Sequence, residues 1–266
     1  MSSLYQTTKA LLNAFNRHAQ KRLGQNFLID QNVLDRIVAA AELSQDDDVL
    51  EIGCGLGVLT KELAEKSKHV TALDLDKEML QISKEVLKGH NNVDYVHADF
   101  LKWVVDREFT KVVANVPYYI TSPIIEKVLG NEYCDARNDG GGMKRVVLTV
   151  QKEVAERISA SPGTKRYGSF SVFVQNRADV EIASLVSRRS FYPMPNVDSA
   201  ILVIKPLGCL RYNIKESLVR AAFSQRRKTI RNTLKEFNID FEKLGIDPKR
   251  RAETLSLEEF ERLSIG

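Results

Sequence analysis

Apolar residues fall into short uninterrupted runs that alternate with segments of helical spacing. VLEIGCGLGVLT (49–60) runs from an apolar strand into a glycine loop and on into a helix, TKELAEK. HVTALDLD (69–76) reads as a second strand ending in acids, with Met79, Ile82, Val86 and Leu87 marking the helix behind it. VDYVHADF (93–100) is a third strand and KVVANVP (111–117) a fourth, followed by a helix marked by Ile124, Ile125, Val128 and Leu129. RVVLTVQ (145–151) is a fifth strand and KEVAERI its helix. Strands apolar on both sides, alternating with helices, call for a parallel sheet covered on both faces. ADVEIASLV and VDSAILVIKP predict two late strands that pair, and beyond Pro206 the pattern is helical through Gly266. Before the first strand, residues 4–19 predict a helix with a weak apolar face, and KRLGQNFLID (21–30) an ordered loop. Asp30 is the expected N-cap of a helix carrying Val33, Leu34, Ile37, Val38 and Ala41. NDGGG (138–142) and SPGTKRYGS (161–169) read as loops.

The predicted division is therefore a basic arm and loop over 1–29, an α/β domain over 30–207 and a small all-helical domain over 208–266. With 266 residues and 43% hydrophobic content, the chain can bury a core without covalent staples. Cys54, Cys134 and Cys209 are odd in number and scattered, and His18, His69, His90 and His97 show no ligand spacing. Neither a disulfide framework nor a metal site is expected. No apolar run reaches membrane-spanning length, and no signal peptide is read. Lys9, Arg17, Lys21 and Arg22 precede the first acid, Asp30, which is read as a basic arm on a cytoplasmic protein, an organellar transit peptide being the other reading. The net charge of +4 hints only weakly at a polyanion, so the placement of charge carries more.

Gly53, Gly55 and Gly57 sit where a strand meets a helix, letting a ligand approach main-chain N–H groups. The spacing is G-x-G-x-G, with Val58 where the dinucleotide fingerprint has its third glycine, and no lysine follows as in a phosphate-binding loop. Asp74 and Asp99 close the second and third strands at the same sheet end, suited to a ribose diol and an exocyclic amine. Leu75 and Phe100 are placed to sandwich an adenine ring. An adenosine without phosphate fits best, and S-adenosylmethionine (SAM) is the expected cofactor.

NVPY (115–118) falls beside that pocket. An aromatic amine is a poor nucleophile because its lone pair is delocalised into the ring. The Asn115 side-chain oxygen and the Val116 carbonyl, accepting from its two hydrogens, would turn the lone pair toward a methyl donor. Pro117 stiffens the turn, and Tyr118 offers a stacking face. Cys54 has no histidine partner in sequence and is read as a small residue between glycines.

LGQNFLID (23–30), VLEIGCGLGVLT, ALDLD (72–76), ADF (98–100), NVPYYITSPI (115–124), FYPMPNVDSA (191–200) and AFSQRRKTIRN (222–232) occur in this order, and together they resemble the KsgA-type small-subunit ribosomal RNA adenine N6-dimethyltransferase family over nearly the whole chain. The resemblance implies a Rossmann-like SAM-dependent methyltransferase sheet with a small helical C-terminal domain. It implies transfer of two methyls to each of two adjacent adenosines near the 3′ end of small-subunit rRNA within a pre-30S particle, by a monomer. It also implies that Asn26 and Leu28 contact SAM, that Gly53 and Gly55 line it, and that Asp74 holds the ribose and Asp99 the adenine. Asn115, counted with the cofactor residues too, would serve the target base with Pro117 and Tyr118, Phe191 packing on its other side. Two positions depart from the family pattern: Asp74 stands where glutamate is usual, and Val116 where leucine or isoleucine is commoner.

From Arg220 to Lys235 the chain carries six basic residues and no acids. On one helix, Val219, Phe223, Ile230, Leu234 and Phe237 share a face opposite Lys228, Arg231 and Lys235, which predicts a phosphate-binding surface with Arg226 and Arg227. Arg226 falls on the apolar side, so either it pairs against the first domain or the helix breaks near Ser224. Two other functions are weighed: an erythromycin-resistance-type methyltransferase of large-subunit rRNA, and a catalytically silent assembly or transcription factor on the same fold. Intact Gly53, Asp99, Asn115 and Tyr118 argue against the second.

Overall fold

The computed structural model describes residues 3–20, 23–105, 107–130 and 142–265. Lys21, Arg22, Cys134 and all of the NDGGG loop but Gly142 lie outside the described residues. The main sheet contains β2 (Asp48–Ile52), β3 (His69–Asp74), β4 (Val93–His97), β5 (Lys111–Asn115), β6 (Arg145–Gln151), β7 (Ala178–Val186) and β9 (Ser199–Pro206) in the order β4-β3-β2-β5-β6-β9-β7. Strands β4 through β6 are parallel, as expected. The late strands do pair with each other, but β9 enters antiparallel between β6 and β7, so the sheet is mixed. Direction is set by the connection between strands, which apolar content does not encode. A second, two-stranded sheet joins β1 (Phe27–Leu28) to β8 (Phe191–Tyr192) antiparallel. The loop expected at 21–30 therefore contains a short strand.

Alternation within each strand explains the unbroken apolar runs. Leu50, Ile52, Val112, Ala114, Val146 and Leu148 point into one core. Val49, Val113 and Val147 point into another, with Leu34, Ile37 and Leu63 from helices α2 (Gln31–Ala41) and α3 (Val58–Lys66). Asp30 caps α2 as expected, its carboxylate accepting from Asn32 N. The N-terminal helix α1 is shorter than expected, Leu4–Ala14, and rests Leu12 against Met79 and Ile82 of α4 (Lys77–Val86). Helix α5 (Thr121–Val128) follows β5 and α6 (Lys152–Ile158) follows β6. Helix α7 (Ser169–Gln175), unassigned in the sequence, is fixed by the Ser171 hydroxyl, which donates to Arg157 O at 2.6 Å.

A third core gathers Leu218, Val219, Ile230, Leu234, Leu255, Phe260 and Leu263 with Ala160, Tyr167 and Val172. The continuous basic helix does not form: α8 (Glu216–Ala222) is capped by Phe223, and the next helix, α9, covers only Ile230–Thr233. The apolar set 219, 223, 230, 234 and 237 still faces one core, reached from two short helices and a 3-10 turn. The break frees Arg226 to donate to Lys165 O at 2.5 Å, so both foreseen outcomes occur together. The last helix, α10, is Leu257–Ile265.

Candidate active site

Strand order reverses between β2 and β5. From β2 the chain goes outward to β3 in one direction, while β5 lies on the other side. Such a reversal opens a crevice at the carboxyl ends of the two strands. Here β2 ends in the glycine loop and β5 ends at Asn115, so segments remote in sequence share one crevice. Gly57 must be glycine: its φ is +81°, and a Cβ would lie 2.5 Å from Ser83 Oγ on α4. At Gly53 a Cβ would meet nothing within 4 Å, because that side faces the crevice.

The crevice is roofed by the N-terminal loop. Gly24, with φ +63°, approaches Pro117 and Tyr119 so closely that a Cβ would sit 3.1 Å from each. Gln20 and Gln25 Nε2 both donate to Asp76 Oδ2, at 3.0 and 3.2 Å, and Arg17 pairs with Glu78 at the start of α4. Asn115 Nδ2 donates to Asn26 O at 3.1 Å. A carbonyl can only accept, so the amide nitrogen must face Asn26 and Oδ1 remains an acceptor for something else.

These contacts enclose a cavity of about 380 Å³, within the usual range for a small-molecule site. Asn26, Leu28, Gly53, Gly55, Asp74, Leu75, Asp99, Phe100, Asn115, Val116, Pro117 and Tyr118 all line it. Asp74 Oδ2 accepts from Gly55 N at 2.9 Å and Oδ1 from Asp76 N at 2.8 Å, so the shorter carboxylate is drawn into the loop. Burial pushes its carboxyl up, against those two N–H groups. Asp99 Oδ1 accepts from Leu101 N at 3.0 Å. The expected sandwich is uneven. Leu75 is half exposed, whereas Phe100 is 3% exposed and sits in the core with Lys127 Nζ 5.2 Å from its ring centre. Tyr118 Oη and Ser199 Oγ share a hydrogen bond of 2.7 Å.

Phe191 does not join this group. The β1–β8 register sets it opposite Leu28, and its ring is buried with Leu34 and Val186. It is not among the residues that line the cavity in this structure, although its pairing partner Leu28 is. Arg226, Arg227, Lys228, Arg231 and Lys235 are all exposed, on the helical C-terminal segment and apart from the cavity lining. Cys54 is buried and burial pushes its thiol well up, which removes it as a nucleophile.

Glu51 was not singled out by the sequence reading, yet it lines the cavity at 1% exposure with Oε2 lacking a partner. Burial pushes its carboxyl up to about 8, opposed by the Thr60 hydroxyl and aided by the charge of Asp74. An acid inside an otherwise apolar strand, VLEIG, was the signal available. Among the described residues no cluster of three or more His, Cys, Asp or Glu is placed to hold a metal, and no helix is long and apolar enough to cross a membrane.

Comparison with known proteins adds three findings. A family profile described as ribosomal RNA adenine dimethylase matches residues 16–265. A protein of Clostridium botulinum named ribosomal RNA small subunit methyltransferase A is 45% identical over 97% of both chains, and one of Bacillus mycoides with the same name is 41% identical over 97% of this chain and 94% of its own. Among solved structures, a dimethyladenosine transferase from Plasmodium falciparum superposes with a TM-score of 0.74 at 30% identity, covering 89% of this chain and 95% of that one; the 23S rRNA methyltransferase ErmE gives 0.72 at 28%, covering 90% and 98%.

Proposed function

The chain belongs to the ribosomal RNA adenine dimethylase family, and on that premise we propose that it dimethylates the N6 amines of two adjacent adenosines near the 3′ end of small-subunit rRNA, using SAM. The single observation that carries the chemistry is the Asn115–Asn26 hydrogen bond. It turns the Asn115 carboxamide oxygen away from the N-terminal loop, where it accepts from one N6 hydrogen while the Val116 carbonyl accepts from the other. The amine is thereby pulled from planarity and its lone pair directed. Tyr118 supplies the stacking surface. Most of the acceleration is positional. No strong base is required, since a protonated aromatic amine is already acidic.

The cavity suits SAM on its own features. Gly53 leaves open space against main chain, Asp74 and Asp99 stand at adjacent strand ends, and Glu51 offers a buried carboxyl oxygen with no protein partner. When bound, SAM supplies an electrophilic methyl on sulfur. Asp99 Oδ2 would accept from the adenine amine and Asp74 would hold the ribose, Leu75 covering the ring. The N-terminal loop, tied to Asp76, excludes water.

Arg226, Arg227, Lys228, Arg231 and Lys235 would contact rRNA phosphates, continued by Lys165 across the Arg226 bond. We assign 1–29 to the arm and cofactor-covering loop, 30–207 to catalysis and 208–266 to RNA binding, supported by a third core built mostly from the helical segment, which Ala160, Tyr167 and Val172 join from the preceding one. Action as a cytoplasmic monomer on a pre-30S particle completes the proposal. A large-subunit target is disfavoured because the curated relatives matching 97% of the chain are named for the small subunit, although the fold is shared with ErmE.

The test is transfer of tritiated methyl to small subunits lacking the modification, followed by nucleoside analysis. The wild type should yield N6,N6-dimethyladenosine, and Asn115→Ala should yield none while binding SAM within about five-fold of wild type. Full turnover in Asn115→Ala would refute the assignment.

A further inference from the structure

Tyr118 carries a hydroxyl that stacking does not need, since a phenyl ring presents the same face. That hydroxyl is used: it shares a 2.7 Å hydrogen bond with Ser199 Oγ. Ser199 is fully buried and opens β9, the strand inserted between β6 and β7. Its main chain is paired on both sides, with Gln151 and with Val186. The preceding residue is held as well, because Asp198 O accepts from Lys152 N at 3.0 Å and Asp198 Oδ1 from Arg188 N at 3.0 Å. Tyr118 itself sits in a single 3-10 turn, Tyr118–Ile120, at the cavity wall. A short turn with an aromatic on it has rotational freedom that a buried sheet position lacks.

We propose that Ser199 is a positioning residue for the target-base platform: its hydroxyl, fixed by the sheet, holds the Tyr118 ring in the plane on which the adenine stacks. The four-residue segment 115–118 is then held at both ends, the Asn115 amide by Asn26 O and the Tyr118 hydroxyl by Ser199, with Val116 buried between them. Ser199 does not line the cavity, so it acts only through Tyr118. This inference rests on the proposed methyl transfer to adenosine.

The experiment is a double-mutant cycle on turnover with undermodified small subunits. Ser199→Ala and Tyr118→Phe should each lower kcat by about ten-fold, the size expected for losing one orienting hydrogen bond. The double variant should be no slower than the slower single, because both changes break the same bond. SAM affinity, measured by calorimetry, should stay within about two-fold in all three. A merely structural Ser199 would lower the melting midpoint without coupling to Tyr118 in kcat. Wild-type turnover in either single variant, or losses that multiply in the double, would overturn the proposal. Should Ser199→Ala fail to fold, Tyr118→Phe decides alone, since it removes a single oxygen from a half-buried side chain. Absence of dimethyladenosine from the wild-type reaction would instead strike the functional reading itself.

Discussion

Replacing Glu51 with glutamine should flatten part of the pH dependence of stability. Glu51 lies in β2 at 1% exposure, and burial pushes its carboxyl from 4.5 up to about 8. The folded protein therefore holds this proton more tightly than the unfolded chain. The resulting stability is present in full below the unfolded value of 4.5 and is lost as pH rises through about 8. Within that window the slope approaches about 1.4 kcal/mol per pH unit. Between about pH 6 and pH 8 the wild type should lose roughly 2 kcal/mol that the variant keeps. Asp74, pushed the same way by burial, is present in both proteins and cancels to first order in the difference. Urea denaturation at half-unit pH steps would give the difference in unfolding free energy between the two proteins. A difference that stays constant across the range, within about 0.5 kcal/mol, would mean that Glu51 is already ionised in the fold and that the account of its burial is wrong.

Lys228→Ala and Arg231→Ala should each weaken rRNA binding across sequences and lower the salt slope of log K by about one, read from titrations at several salt concentrations. Gly57→Ala should cost at least about 2 kcal/mol by denaturation, since it combines left-handed strain with a Cβ forced onto Ser83 Oγ.

How much of this was legible in the sequence depends on what each residue answers to. The parallel strands were readable because both faces of β2, β5 and β6 are buried, which leaves few polar positions inside the run. Asp74, Asp99 and Asn115 were readable because polar residues at strand ends stand out against that background. The antiparallel entry of β9 was not, since Ile201 and Val203 pack as they would in either direction. The basic helix was overextended for a related reason. Ile230 and Leu234 reach the same core as Val219, so the helical period survives across a break that Ser224–Lys228 introduces. The pairing of Phe191 with Leu28 was not legible either, since the two are remote in sequence. Glu51 and Ser199 passed unnoticed because each is one polar residue in an apolar strand, and its role depends on what stands across from it.

The insertion of β9 between β6 and β7 bears on the timing of synthesis. A nascent chain halted before residue 199 already has its glycine loop, both aspartates and NVPY, yet β6 has no neighbour on one side and the tyrosine hydroxyl has no anchor. Competence therefore arrives late, only after some fifty residues beyond β6 have cleared the exit tunnel and folded back between β6 and the edge strand β7.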